Sequence, residues 1–237
     1  MKSFIAMLFP LIACLNQVGA IPIRVLAWDE DVAARKLSIS SAKGVAEIVD
    51  MHPFSRTPPI QVTAGDSAPM LLAMDKLDAD GKPAASPITL PPGMKSPLLL
   101  LLPDEKSPTG VRQLAIEDNA ADFKWGTIRL INATGKKLVF KWDKKLAAVP
   151  ATWTPTDVNP GGSSRRMGIE LFLAEQPDPP LYSAVWEHRE EFRKLVFVVP
   201  SEDARLGPVD FKTITEDKRV IQANQADQAK ANGGTAQ

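Results

Sequence analysis

Leu98-Leu99-Leu100-Leu101-Leu102-Pro103 is an unbroken apolar run closed by a proline. Its length suits a β-strand and falls far short of a membrane span, which takes about 20 apolar residues. A strand with one wet face alternates apolar with polar residues. A strand that is apolar throughout implies cover on both faces, so this one is expected at the centre of a sheet. Pro103 is admissible just past the end, where its missing N–H breaks no ladder bond. Leu195-Val196-Phe197-Val198-Val199-Pro200 repeats the pattern and carries the same expectation.

Working outward, short apolar segments alternate with turn residues along the chain. Lys36–Ser40, Ile60–Thr63, Met70–Met74 and Ile88–Leu90 are strand candidates in the first half. Gly168–Leu173, Tyr182–Trp186 and Val209–Ile214 are candidates in the second. Thr127–Ile131 and Leu138–Trp142 flank the turn-like Asn132-Ala133-Thr134-Gly135, which predicts a β-hairpin. The 21 prolines fall between these runs, as in an all-β chain with many turns. Helix is expected to be scarce, with one turn over Glu187–Phe192. The tail 218–237, rich in Ala, Gln and Asn, is expected to be disordered or a fraying helix.

Residues 57–114 align without a gap onto 154–211. Identities include Thr57/Thr154, Pro58/Pro155, Met70/Met167, Leu98/Leu195, Pro103/Pro200 and Gly110/Gly207, with Gly65/Gly162 and Ser67/Ser164 in turns. Apolar phase is expected to match at Leu72/Ile169, Met74/Leu171 and Leu114/Phe211. This predicts an internal duplication: one β-sandwich module over 21–118, a second over 119–217, and a seam near Asn119 to Trp125. The whole resembles a pair of tandem immunoglobulin-like sandwiches, an architecture that hosts too many functions to imply one.

The first twenty residues read as a secretory signal: Lys2, an apolar core, then Val18-Gly19-Ala20 before cleavage at Ile21. The rival reading is a lipobox, Leu11-Ile12-Ala13-Cys14, with a lipid anchor on the chain's one cysteine. Either way the protein is expected to be exported, to the periplasm, the envelope or the extracellular space. No later segment is a candidate transmembrane span.

Twenty-eight basic residues balance twenty-eight acidic ones, which argues against nucleic acid as a partner. With two histidines and one cysteine, neither a metal site nor a cofactor is expected. Asp75, Asp78 and Asp80 before Gly81 miss the calcium-loop pattern at its first and last ligands. No catalytic residue is assigned. The weak ligand-binding candidates are Trp125 and Trp153 near strand ends, Arg165 and Arg166 after Gly161-Gly162, and His188 among Glu187, Glu190 and Glu191. The expected function is a non-catalytic structural or partner-binding module of the envelope, the partner being a protein or glycan. The alternatives are a glycan-binding module using exposed tryptophans and a hydrolase using His188 with its acidic neighbours.

Overall fold

The computed structural model describes residues 20–63, 68–203, 205 and 207–233. Residues 1–19 of the signal segment, Cys14 among them, and Gly65 and Ser67 therefore lie outside the described residues. The chain is mostly β, with sixteen strands in four four-stranded sheets among the described residues.

The first half contributes β1 (Ala20–Ala27), β2 (Leu37–Ser41), β3 (Gly44–Glu47), β4 (Ile60–Thr63), β5 (Met70–Leu77), β6 (Pro83–Pro87), β7 (Pro97–Pro103) and β8 (Val111–Glu117). A four-residue helix, α1 (Glu30–Ala33), follows β1, and Asp29 caps it by accepting from the Val32 N–H. The second half contributes β9 (Ile128–Asn132), β10 (Leu138–Trp142), β11 (Lys145–Val149), β12 (Thr156–Val158), β13 (Arg165–Leu173), β14 (Tyr182–His188), β15 (Phe192–Pro200) and β16 (Val209–Asp217). The helix α2 (Lys218–Gly233) follows β16 directly.

The two halves pair their strands alike. Sheet order is β3-β2-β5-β6 and β4-β1-β7-β8 in the first half, β11-β10-β13-β14 and β12-β9-β15-β16 in the second. In each, one pair of central neighbours is parallel: β1 with β7, where Arg24 faces Leu98, and β9 with β15, where Arg129 faces Leu195. Leu98–Leu102 and Leu195–Val199 thus lie in corresponding central strands, as their composition predicts. Gly110 and Gly207 both take positive φ in the turns that lead into β8 and β16.

Three cores hold the sheets together. Leu37, Ile39, Leu71 and Ala73 from one sheet meet Ile23, Val25, Leu99 and Leu101 from the other. Phe140, Trp142, Ile169 and Leu171 likewise meet Leu130, Val196 and Val198. The third core lies between the halves. Leu26, Leu98, Leu100, Leu102 and Ile116 pack against Ile131, Leu195, Phe197 and Ile214. The order is four stacked layers, with β4-β1-β7-β8 against β12-β9-β15-β16 in the middle. Strand alternation sends Leu99 and Leu101 to one core and Leu98, Leu100 and Leu102 to another, so every leucine of the run is covered.

Several expectations are corrected by this geometry. Thr127–Ile131 and Leu138–Trp142 do not form a hairpin. β9 pairs with β12 and β15, and β10 with β11 and β13, so the connection crosses between facing sheets. Asn132 holds that crossover: its Oδ1 accepts from the N–H and hydroxyl of Thr134, and its Nδ2 donates to the Lys136 carbonyl. The tight hairpin turn is Asp143-Lys144, with Trp142 paired to Lys145.

The ungapped repeat also slips. Leu71 and Ala73 face the first core, leaving Leu72 half-buried and Met74 exposed, whereas Ile169 and Leu171 are buried. Leu114 packs into the third core and Phe211 into the second. Pro103 pairs with Val111 but Pro200 with Val209, so the second turn is one residue longer, and a one-residue slip reverses every face. Ile88–Leu90 lies past the end of β6, and Glu187–Phe192 spans a turn rather than a helix. Of the two states expected for the tail, disorder or a fraying helix, the described part is helical from Lys218 through Gly233, as its alanine- and glutamine-rich composition permits.

Candidate functional site

The seam between the halves is apolar at its middle and charged at one end. The charge comes from positions that face the seam: Arg24 in β1, Arg129 in β9 and Arg193 in β15. Asp118 and Glu216 stand at corresponding places after Ile116 in β8 and Ile214 in β16, which pair with Leu98 and Leu195 respectively. The loop between β3 and β4 adds Arg56. Asp118 is 1% exposed in its side chain and takes three guanidinium groups. Arg56 donates to it through Nε at 2.9 Å and Nη2 at 3.0 Å, Arg24 donates through Nη2, and Arg193 Nη2 stands 3.8 Å away. Glu216 accepts from Arg193 Nε and from Arg24 Nη1 at 3.1 Å. Arg193 also donates to the carbonyls of Asp118 and Phe123.

Burial pushes the Arg193 guanidinium down from its ordinary pKa, against the opposing pull of Asp118 and Glu216. The flat faces of Phe123 and Trp125 each lie 5.1 Å from its guanidinium carbon. Beside this cluster, Arg129 forms a bidentate pair with Asp157 at 2.6 Å and donates to the Glu117 carbonyl. The Glu117 carboxylate is raised by burial, but this is outweighed by N–H donors from Lys95, Asn119 and Ser96, leaving its pKa lowered.

A groove of about 950 Å³ opens over the cluster. Its walls include Arg24, Arg56, Asp118, Trp125, Arg193 and Glu216, with Pro58 and Pro59 on one side and Val220 and Ile221 of α2 on the other. It draws on both halves and on the terminal helix.

The five sequence candidates scatter. Trp125 is half-buried on the groove wall. Trp153 sits at the other end of the seam, held at φ +59° with its ring 6.1 Å from Trp28 and 6.4 Å from Phe197. Arg165 pairs with Asp143 at 2.8 Å and Arg166 is exposed, both on β13 away from the seam. His188 is 3% exposed at the end of β14, and its Nε2 has no hydrogen-bond partner. Burial lowers its pKa, and the void beside it measures about 10 Å³, at or below the room needed by one water. Among the described residues, no three His, Cys, Asp or Glu side chains converge as metal ligands. Asp78 instead closes its own turn by accepting from the N–H groups of Asp80 and Lys82.

Sequence reasoning missed Arg24, Arg56, Asp118, Arg193 and Glu216. The available signal was a lone arginine inside an apolar strand, as in Ile23-Arg24-Val25 and Ile128-Arg129-Leu130. A charge on the covered face of such a strand must find a buried partner. No protein-family model matches the chain, and no curated protein matches it in sequence.

Proposed function

We propose that the chain is an exported, non-catalytic module of the periplasm, cell envelope or extracellular space, and that it binds a partner in the seam groove. The observation that carries this reading is the groove itself. It combines a charged floor, apolar walls and a half-exposed tryptophan at a junction stiffened by a continuous apolar core. We take the two halves to be sandwich modules derived from one by internal duplication. Their matching strand orders, parallel central pairs and corresponding acids two residues past Ile116 and Ile214 support this. The likeness to immunoglobulin domains extends to two facing sheets and no further, because the order 4-1-7-8 with a parallel pair departs from the ABED/CFG arrangement.

The other two readings have less support. A glycan platform calls for a tryptophan pair on a flat, wet sheet face, and Trp28 and Trp153 pack into the seam. A hydrolase built on His188 calls for a cleft, and the space there is about 10 Å³.

Two measurements test the proposal. Mass spectrometry of the protein from its native host should find Ile21 or an acylated Cys14 at the N-terminus; an intact Met1 in soluble cytoplasm rejects export. Crosslinking from the envelope fraction should capture the same partner with wild type and not with Trp125→Ala. Equal capture by both proteins rejects the groove.

A further inference from the structure

We propose that the seam groove binds a ligand with a single carboxylate on an apolar body, the carboxylate being held by Arg24 and Arg56. This rests on the groove being the binding surface and names what it recognises. The floor sets three guanidinium groups, Arg24, Arg56 and Arg193, against two carboxylates, Asp118 and Glu216. One positive charge is left over. Of the other charges on the walls, Asp217 is taken by Arg219 at 2.7 Å, and Lys218 adds a further cation. Lys218 is exposed to solvent and screened there, so the buried floor keeps a surplus of one, which a monoanion matches, whereas a phosphate dianion brings extra repulsion from Asp118 and Glu216.

The second observation is a donor without an acceptor. Arg56 is 2% exposed in its side chain, and its Nε and Nη2 are spent on Asp118. Its Nη1 makes no hydrogen bond, and the nearest acid, Glu216 Oε2, lies 3.5 Å away. A buried guanidinium donor with a long ion pair but no hydrogen bond is costly, and a planar carboxylate is the group a guanidinium fork pairs best. Arg24, 23% exposed in its side chain, is the member of the cluster that meets the opening. A carboxylate drawn in beside it completes Arg56 once the Glu216 side chain yields by a rotamer. The rest of the groove is too large for a small anion alone. Pro58, Pro59, Ile221 and the Trp125 face offer apolar contact for a body several atoms long. A peptide C-terminus and a free organic acid both supply this chemistry.

The test is calorimetric titration of the purified protein with three probes: N-acetyl-Ala-Val-Leu with a free carboxylate, the same peptide as its C-terminal amide, and hexanoate. The free-acid peptide or hexanoate should bind, and the acid peptide should exceed the amide by roughly tenfold or more, as one charge-assisted hydrogen bond implies. Tight peptide with weak hexanoate identifies a chain terminus as the source; the reverse order identifies a free acid. Arg24→Gln should weaken the acid by about the same factor and leave any amide binding unchanged, with an unaltered circular dichroism spectrum confirming the fold. Equal binding of acid and amide, no binding of any probe, or indifference to Arg24→Gln overturns the proposal. If that happens while Trp125→Ala still abolishes partner capture, the groove keeps its role and only the carboxylate is wrong.

Discussion

Phe197→Ala should destabilise both halves of the protein, although Phe197 belongs to the second. Phe197 is fully buried in the third core, with its ring 5.5 Å from Trp28 of the first half. Truncating a buried phenylalanine costs about 3–5 kcal/mol, from lost burial and the cavity left behind. Whether that loss spreads depends on how firmly the seam is held. Ten large apolar side chains are buried there. At about 1.5–3 kcal/mol each, they contribute on the order of 15–30 kcal/mol before any entropy is charged against them. Even half of this rivals the net stability of a typical domain, about 5–15 kcal/mol. Neither half is therefore expected to stay folded with its seam face wet, and the protein should unfold in one step. Urea denaturation followed by hydrogen exchange resolves the halves separately. The expected result is that amides in β7 and in β15 lose protection together, with the urea midpoint lowered by the same amount for both. If β7 keeps wild-type protection while β15 loses it, the halves are independent and the stacked four-layer account is wrong.

The remaining predictions concern local devices. Asp118→Asn leaves Arg24, Arg56 and Arg193 facing Glu216 alone, and should cost about 3–5 kcal/mol in a denaturant titration; a change under about 1 kcal/mol, the range of an exposed ion pair, shows the cluster to be solvated. Asp75 is held at about 2 by hydrogen bonding from Arg35, below its ordinary value of 3.8. Because its folded pKa is depressed, its contribution is complete above pH ~4 and is lost as pH falls toward ~2. Because the Arg35–Asp75 pair is exposed and screened by solvent, Asp75→Asn should lower stability by only about 0.5–1 kcal/mol near neutrality and flatten that acid limb, which thermal melts across the range will show. Gly110→Ala places a Cβ 2.9 Å from Arg35 Nη1 at a φ of +77°, and should cost on the order of 1–2 kcal/mol. Gly81→Ala meets open space at φ +76°, so by the same melts it should be the milder of the two.

The chain's local grammar was legible in the sequence. Leu98–Leu102 and Leu195–Val199 announced doubly covered strands, because alternation and its absence are written residue by residue. Gly110 and Gly207 announced turns, because glycine alone takes a positive φ freely, while Pro103 and Pro200, expected just past their strands, are the last paired residues of β7 and β15. What the sequence left open was pairing. Thr127–Ile131 and Leu138–Trp142 looked like neighbours because a short, turn-like connection suits a hairpin, yet the same connection bridges facing sheets once Asn132 bonds inward. Asp143-Lys144 carried the true hairpin, with a residue at φ +50° that composition did not flag. The match of Leu72 to Ile169 failed for a related reason: identity aligns letters, whereas burial depends on parity, and one inserted residue reverses it. The charged cluster was the least accessible of all. Arg24 and Glu216 are separated by 192 positions, and nothing local distinguishes Asp118 from an ordinary acid at the end of a strand. Strand formation and turns follow from short-range sterics and solvation, which each segment carries within itself. The stacking of two sheets, and the buried charges that meet at their edge, are long-range choices made only when the whole chain is packed.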